Sequence, residues 1–205
     1  MWADLARESL DLTLEHLFLV TVSVLCAAAI AVPTAIALTR RERWRRAVLG
    51  LVNIFQTVPS LALFGFLIPI PLIGGIGKRT AILALILYAL LPILRNTLLG
   101  ITGIDPAIRE SAVAMGMTPG QILREVELPL AAPSIFAGLR VATVTTIGTA
   151  AIAAAIGAGG LGVFIFRGIA SVDNAQILAG AVPAALMALA ADEGFGWIER
   201  KVSPP

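Results

Sequence analysis

The stretch DPAIRESAVAMGMTPGQILREVELP, residues 105–129, is a polar segment inside an otherwise strongly apolar chain. Asp105 followed by Pro106 predicts a helix start, because aspartate accepts hydrogen bonds from the first free N–H groups and proline has none to satisfy. The helix is predicted to run about three turns to Gly116, since glycine readily adopts the left-handed conformation that ends a helix. We call residues 105–129 the polar segment below.

A second helix start follows within the polar segment. Thr118 and Pro119 repeat the start signal, and Gln121, three residues after Thr118, completes the pattern of a capping box. This second helix is expected to end at Leu128 and Pro129, because the residue before a proline disfavours helical backbone. The polar segment is therefore predicted to hold two short helices, each capped at its start.

The composition defines the surroundings of the polar segment. Apolar residues make up 58% of the 205 residues and charged residues only 14%, whereas soluble domains carry about 25% charged residues. The start of the chain carries acidic residues and lacks the basic region of a secretory signal peptide. The composition therefore predicts an all-α integral membrane protein, with the chain forming a single transmembrane domain.

Five apolar stretches each approach the ~20 residues that a helix needs to cross a bilayer. They cover residues 17–38, 48–72, 81–99, 132–156 and 174–191. The fourth is rich in alanine, glycine and threonine, small residues that allow helices to approach closely, so we expect it to be central in the bundle. Two glycine-rich stretches, 74–80 and 157–162, lack the spacing and context of nucleotide-binding loops and are interpreted as outer turns.

The distribution of basic residues predicts the orientation. Cytoplasmic loops of membrane proteins carry an excess of lysine and arginine. In an arrangement with the N-terminus outside and the C-terminus inside, eleven of the fifteen basic residues lie inside or near the inner face: 40, 41, 43, 45, 46, 95, 109, 124, 140, 200 and 201. The polar segment is then cytoplasmic, and Arg95 is expected near the cytoplasmic end of the third span.

Polar side chains in the second span suggest a second site. Asn53, Gln56, Thr57 and Ser60 fall at helical spacing on one face, and Pro59 lies among them. Polar groups in hydrocarbon are tolerated when they face protein or a wet cavity. These four residues, with Thr145 and Thr149 of the fourth span, either hydrogen-bond neighbouring helices or line a translocation path, and both interpretations stay open.

The polar segment also carries a family resemblance. Glu110, Ser111 and Ala112, then Gly116 after three residues, then VELP after nine more, resemble the signature cytoplasmic loop of permease subunits of bacterial ATP-binding-cassette (ABC) importers. That signature reads EAA, three residues, G, nine residues, I-x-LP. NIFQTVPSLALFGFL (53–67), YALLPILRNTLLGI (88–101) and IGAGGLGVFIFRGI (156–169) are similar to the branch that takes up osmoprotectants.

The resemblance implies a type I importer permease fold (MetI-like) in the bacterial inner membrane. It implies a dimer with a second permease copy, identical or not, docked on two cytoplasmic ATPases that hold ATP and Mg²⁺, while an external binding protein delivers glycine betaine, choline or carnitine. Importers of other zwitterions, such as ergothioneine, share this permease type. The implied ATPase-coupling residues are Arg109, Glu110, Ser111, Ala112, Gly116, Leu128 and Pro129, with Ile108, Ala112 and Met115 on one docking side and Arg109 and Glu110 at its rim.

Other classes of function find little support in the sequence. His16 is the one histidine, and the spans lack an acidic pair apart from Asp192 and Glu193 at the membrane edge, so the residues of an intramembrane enzyme are missing. We expect no cofactor, metal or nucleic acid on this chain, and surrounding lipid as a partner. A passive channel is the alternative, but a channel has no use for an ATPase-coupling loop.

Overall fold

The computed structural model describes residues 2–71 and 74–203, with side chains from residue 7 onward. Within these residues the chain is all-helical. The helices are α1 (Trp2–Leu38), α2 (Glu42–Thr57), α3 (Ser60–Leu67), α4 (Lys78–Thr102), α5 (Pro106–Ala114), α6 (Pro119–Gln121), a π-helical turn (Ile122–Glu127), α7 (Leu128–Ala153), a 3₁₀ turn (Ala154–Ile156), α8 (Gly162–Ser171) and α9 (Asn174–Val202).

Four helical stretches of the described chain are long and apolar enough to cross a membrane: Arg7–Leu38, Lys78–Thr102, Pro119–Ile156 and Asn174–Val202. The fold class of four to five membrane helices is therefore confirmed. α1 continues well before the predicted start at residue 17, because nothing in residues 2–16 breaks a helix. Two of its early carboxylates are paired: Glu15 binds Lys78, with 2.8 Å from Oε1 to Nζ, and Glu8 binds Arg167.

The predicted second span is not one straight helix. α2 and α3 meet at an angle of 102°, and Val58 between them has extended backbone, with φ −74° and ψ 128°. Pro59 disfavours helical geometry at the residue before it, which explains the break. The interpretation of one polar face running from Asn53 to Ser60 is therefore wrong, because Ser60 begins a helix that points elsewhere. The end of this predicted span, residue 72, lies outside the described residues.

The predicted helix end at Leu128 and Pro129 is also wrong. The chain stays helical from Pro119 to Ile156, and a six-residue π-helical turn, Ile122–Glu127, precedes the proline. Proline lacks an N–H and its ring clashes with the carbonyl four residues earlier in a regular helix. A widened turn moves that carbonyl away, so the helix passes Pro129 without ending.

α4 and α7 form the centre of the bundle. Buried side chains of α1, α3, α4 and α7 make one apolar cluster, and those of α1, α4 and α7 make a second one. α7 packs so closely on α4 that a Cβ atom added to Gly138 would lie 3.0 Å from the carbonyl oxygen of Pro92. The small residues of the fourth span thus allow the close helix approach expected from the sequence.

Candidate functional site

The polar segment begins with the predicted cap. Asp105 Oδ1 accepts a hydrogen bond of 2.9 Å from the backbone N–H of Ala107, and Pro106 occupies the first turn of α5. α5 ends at Ala114, and Gly116 two residues later has φ +81°. L-residues with a Cβ atom are strained at this positive φ, so the sequence signal at Gly116 is a true helix stop.

The second start is the predicted capping box. The backbone N–H of Gln121 donates to Thr118 Oγ1, while the backbone N–H of Thr118 donates to Gln121 Oε1 at 2.8 Å. Each side chain thus satisfies a backbone donor that the helix itself leaves free. The loop between α5 and α6 is therefore held at both ends by its own residues.

Arg109 ties the polar segment to the membrane helices. Its Nε donates to Glu127 Oε1 at 2.7 Å, and its other nitrogens donate to the backbone oxygens of Ile101 and Ile104, at the C-terminal end of α4. A guanidinium presents its donors as a rigid fork, which suits it to several acceptors at once. α5, the end of α4 and the π-helical turn are thereby joined through one side chain.

This arrangement corrects the expected role of Arg109. We placed it at the rim of a docking face, but it points inward and its partners belong to this chain. Its partner Glu127 is only 8% exposed and is not among the site residues predicted from the sequence. Arg109 and Glu127 are 18 residues apart on different helices, so no helical spacing connects them. The one sequence signal for the pair is that Glu127 is acidic while the other residues of VELP are apolar.

Three large apolar side chains are exposed on α5 or directly after it. Ile108, Val113 and Met115 are 42%, 62% and 74% exposed, whereas Ala112 is buried. Ile108, Ala112 and Met115 lie on one side of the helix by their spacing, but Ala112 packs inward and is not available for docking. The remaining predicted residues lie at the surface around these side chains, with Leu128 half-buried and the others exposed: Glu110, Ser111, Gly116, Leu128 and Pro129.

A cavity of about 460 Å³ lies behind this surface. Its lining joins the polar segment to the basic loop after α1, since Arg40 and Thr39 contribute beside Arg109 and Glu127. The polar segment and the basic cluster of residues 40–46 are therefore neighbours at one end of the bundle. This is the spatial relation that a shared cytoplasmic face requires.

The second predicted site contains an unusual pair of contacts around Tyr88. Pro92 has no N–H to bind the carbonyl four residues earlier, which belongs to Tyr88, and Gln56 Nε2 donates to this oxygen at 2.6 Å. The Tyr88 hydroxyl in turn donates to the carbonyl of Val58, at the break between α2 and α3. Two backbone oxygens freed by prolines are thus satisfied between α2 and α4, as apolar surroundings demand.

Only part of the predicted path comes together. Gln56 and Thr145 line one cavity of about 240 Å³, with Arg95, Asn96, Pro92, Leu91 and Val141. Thr149 lies one turn after Thr145 and donates to its carbonyl at 2.9 Å, while Asn53 and Thr57 are exposed on α2 and Ser60 lies beyond the bend. Arg95 and Asn96 are lining residues that the sequence analysis did not select.

Comparison with known proteins assigns the family. Residues 23–204 match the family described as "binding-protein-dependent transport system inner membrane component". The chain belongs to this family. It is 44% identical over 197 residues to the choline transport system permease protein OpuBB of Bacillus subtilis (strain 168), covering 96% of this chain and 89% of that one.

Two further relatives are similar over nearly the same length. The glycine betaine/carnitine/choline transport system permease protein OpuCD of B. subtilis (strain 168) is 49% identical over 191 residues, covering 93% of this chain and 82% of the relative. The carnitine transport permease protein OpuCD of Listeria monocytogenes serotype 1/2a (strain 10403S) is 47% identical over 191 residues, covering 93% and 84%.

Solved structures agree on the fold. A chain of the MetNI methionine ABC transporter, in an inward-facing conformation, matches with a TM-score of 0.85 at 28% identity, covering 98% of this chain and 96% of that one. A chain of an amino acid ABC transporter solved with histidines matches with a TM-score of 0.78 over 98% and 96%, but at 16% identity it supports the fold alone.

The chain is therefore a permease subunit of an ABC importer and not an enzyme. It is a multi-pass integral protein of the bacterial inner membrane. A permease of this kind works with an ATPase, with a substrate-binding protein and with a paired permease.

Proposed function

We propose that this chain is the membrane subunit of an ATP-driven importer for a small osmoprotectant, namely glycine betaine, choline or carnitine. The observation that carries the proposal is the similarity over more than nine tenths of the chain to permeases whose names give these three solutes. A binding protein delivers the solute from outside, and separate ATPase subunits bind and hydrolyse ATP with Mg²⁺.

The orientation belongs to the same proposal. The N-terminus lies outside and the C-terminus inside, with the polar segment in the cytoplasm. The cavity shared by Arg40 and Arg109 supports this orientation, because it puts the polar segment beside the densest basic loop. Arg200 and Lys201 in the last turn of α9 agree with a cytoplasmic C-terminus.

The polar segment couples ATP hydrolysis to the membrane helices. The exposed side chains of Ile108 and Met115 insert into a groove of an ATPase subunit, and the exposed Glu110 makes a polar contact from the outer side of α5. Movement of the ATPases pushes α5, and Arg109 passes the force to α4 and, through Glu127, to α7. A rigid connection is needed because packed helices transmit displacement only through contacts that do not give way.

The solute path runs through the cavity of Gln56 and Thr145, and a second permease copy faces it. One chain leaves this cavity open at its surface, so a pseudo-two-fold partner has to complete it. The complex then holds two permeases and two ATPases, with lipid against the remaining apolar faces. Cysteine pairs along α2 and α7 are expected to crosslink two permeases, and one permease per ATPase pair would contradict the proposed stoichiometry.

The test is reconstitution of the purified complex in liposomes. The chain is co-expressed with the ATPase and binding protein of its complex, and uptake of labelled glycine betaine, choline and carnitine is measured with ATP inside. We expect uptake of at least one solute that requires both ATP and the binding protein. Solute flux without ATP would indicate a passive channel. Uptake of a different zwitterion, with none of these three solutes transported, would contradict the proposed substrate class.

A further inference from the structure

Arg95 is a cation without a protein partner in the described part of the chain. It is exposed on α4, seven residues before the end of that helix at Thr102, or about 10 Å along the axis at 1.5 Å per residue. An arginine at this depth is expensive against hydrocarbon and is normally found facing protein or a wet cavity. Arg95 meets this condition, since it lines the cavity of Gln56 and Thr145.

The other polar groups of this cavity are neutral, and each already donates one hydrogen bond. Gln56 Nε2 donates to the Tyr88 carbonyl and Asn96 Nδ2 to the Pro92 carbonyl at 2.8 Å, while Thr145 Oγ1 donates to the Val141 carbonyl, also at 2.8 Å. Their oxygens remain free as acceptors, and each of the two amides keeps one further N–H. The described lining contains no carboxylate, so the guanidinium of Arg95 is the charged donor that faces the space.

The cavity thus has an anion-binding end and an end for a soft cation. Guanidinium binds carboxylate through two parallel hydrogen bonds, whereas a trimethylammonium group offers no N–H and rests against apolar surface and partial negative charge. Leu91, Val141 and the free oxygens provide such a surface. The volume of about 240 Å³ equals that of roughly eight water molecules at ~30 Å³ each, enough for one small solute.

We infer that Arg95 binds the carboxylate of a zwitterionic solute and makes the path favour glycine betaine and carnitine over choline, which is a cation without a carboxylate. This assignment rests on the proposed function and refines it. A charge opposite to one end of the solute orients it in the path.

The neighbouring arginine provides a control. Arg45 lines a separate cavity of about 280 Å³ between α2 and α4, which Arg95 also lines, and Arg45 already forms an ion pair with Glu42. An anionic lipid headgroup bound between the two arginines would involve both equally. A carboxylate bound beside Gln56 involves Arg95 alone.

The experiment compares wild type, R95Q, R95K and R45Q in the reconstituted complex, with initial uptake of glycine betaine and choline at subsaturating concentrations. All variants use the same binding protein, so its own preference cancels in the ratio of the two rates. For R95Q we expect this ratio to fall about tenfold, the factor that loss of one charge-assisted hydrogen bond produces. R95K should keep most of the wild-type ratio, and R45Q should have the same ratio as wild type.

Each outcome is decisive. An equal loss of both solutes in R95Q, or a wild type that carries choline but neither zwitterion, overturns the role of Arg95 and leaves the proposed function standing. Equal losses in R95Q and R45Q that depend on anionic lipid in the liposomes indicate a headgroup site instead. If wild type carries zwitterions only, the comparison of R95K with R95Q tests the role of Arg95. Glycine betaine uptake that is recovered in R95K supports the inference, whereas an equal loss of uptake in both variants overturns it. Absence of any uptake by wild type would contradict the proposed function itself.

Discussion

The polar segment and the cavity of Gln56 and Thr145 both place polar groups among apolar helices, and the two are built differently. In the polar segment each group is satisfied nearby: Asp105 and Thr118 cap helices, and Arg109 binds Glu127 and two carbonyls. In the cavity of Gln56 and Thr145 the side chains satisfy carbonyls freed by proline or in their own helix. Acceptor oxygens, amide N–H groups and one guanidinium remain unused there. The first region is rigid and suits force transmission, while the second keeps polar atoms available for a solute.

The largest expected effect comes from removing Glu127, which would break the rigid region. E127A leaves the inward-pointing Arg109 without its carboxylate, and loss of one partner of a buried pair costs about 3–5 kcal/mol. We place this variant near 3 kcal/mol, because Arg109 is 31% exposed. The midpoint of thermal unfolding in detergent should fall, with loss of uptake.

E125A is the matched control, since Glu125 is exposed in the same turn and should leave the midpoint unchanged. The double variant R109A/E127A should recover part of the loss, because it removes the unpaired charge as well. Equal midpoints for E127A and wild type would contradict the assigned role of the pair.

A smaller loss of stability is expected for G116V, which tests the coupling of the ATPases to the membrane helices more than it tests folding. The positive φ of Gly116 costs a residue with a Cβ atom roughly 1–2 kcal/mol, while no atom lies within 4 Å of the added Cβ. The exit of the chain from α5 should therefore shift although the fold persists. Stimulation of ATP hydrolysis by the loaded binding protein should be lost at normal membrane levels of the complex.

Asparagine tolerates this conformation better than valine, so G116N should regain part of the stimulation. G120V is the matched control, because Gly120 also has open space around it and no positive φ. Full stimulation in G116V would remove the polar segment from the coupling path.

E110A is expected to have a weaker effect on the same measurement. Glu110 is exposed in the isolated chain, and an exposed charge contact contributes about 1 kcal/mol or less. Stimulated hydrolysis should fall by a factor of about five at most, with unchanged thermal stability. A fall as large as that of G116V would mean that Glu110 becomes buried against the ATPase.

The smallest structural disturbance comes from single cysteines that probe the cavity of Gln56 and Thr145. The native Cys26 is exposed, so it is first replaced by alanine, and cysteines are then placed at Gln56, Thr145 and Asn53. A membrane-impermeant thiol reagent should label the first two positions to an extent that changes with ATP, since they line the cavity. Constant protection at all positions would favour the interpretation that these groups only hold helices together.

Much of the polar segment could be predicted because its signals are local. Asp105, Gly116, Thr118 and Gln121 act on backbone groups within three residues of themselves, so their spacing in the sequence is their geometry. The predicted helix end at Pro129 is wrong, and the reason is also local. A π-helical turn accommodates the proline, and sequence spacing does not distinguish a widened turn from a broken one.

The cavity was predicted less well because its members come from different helices. The identities of Gln56 and Thr145 marked them as unusual in apolar spans, but their meeting depends on the 102° bend after α2 and on the close packing of α7 against α4. Arg95 looked like a residue that reaches the membrane surface. Its place beside Gln56 follows only from the relative rotation of α2 and α4.

The sequence by itself determined the membrane class, the presence of the apolar helices, the caps of the polar segment and the family signature. Each of these depends on composition or on residues a few positions apart, for which backbone geometry leaves little choice. Tertiary structure alone decided that Arg109 points inward to Glu127, that Ala112 is buried while Met115 is exposed, and that Arg95 shares a cavity with Thr145. These relations arise from how helices pack, because packing brings together residues that the chain keeps far apart.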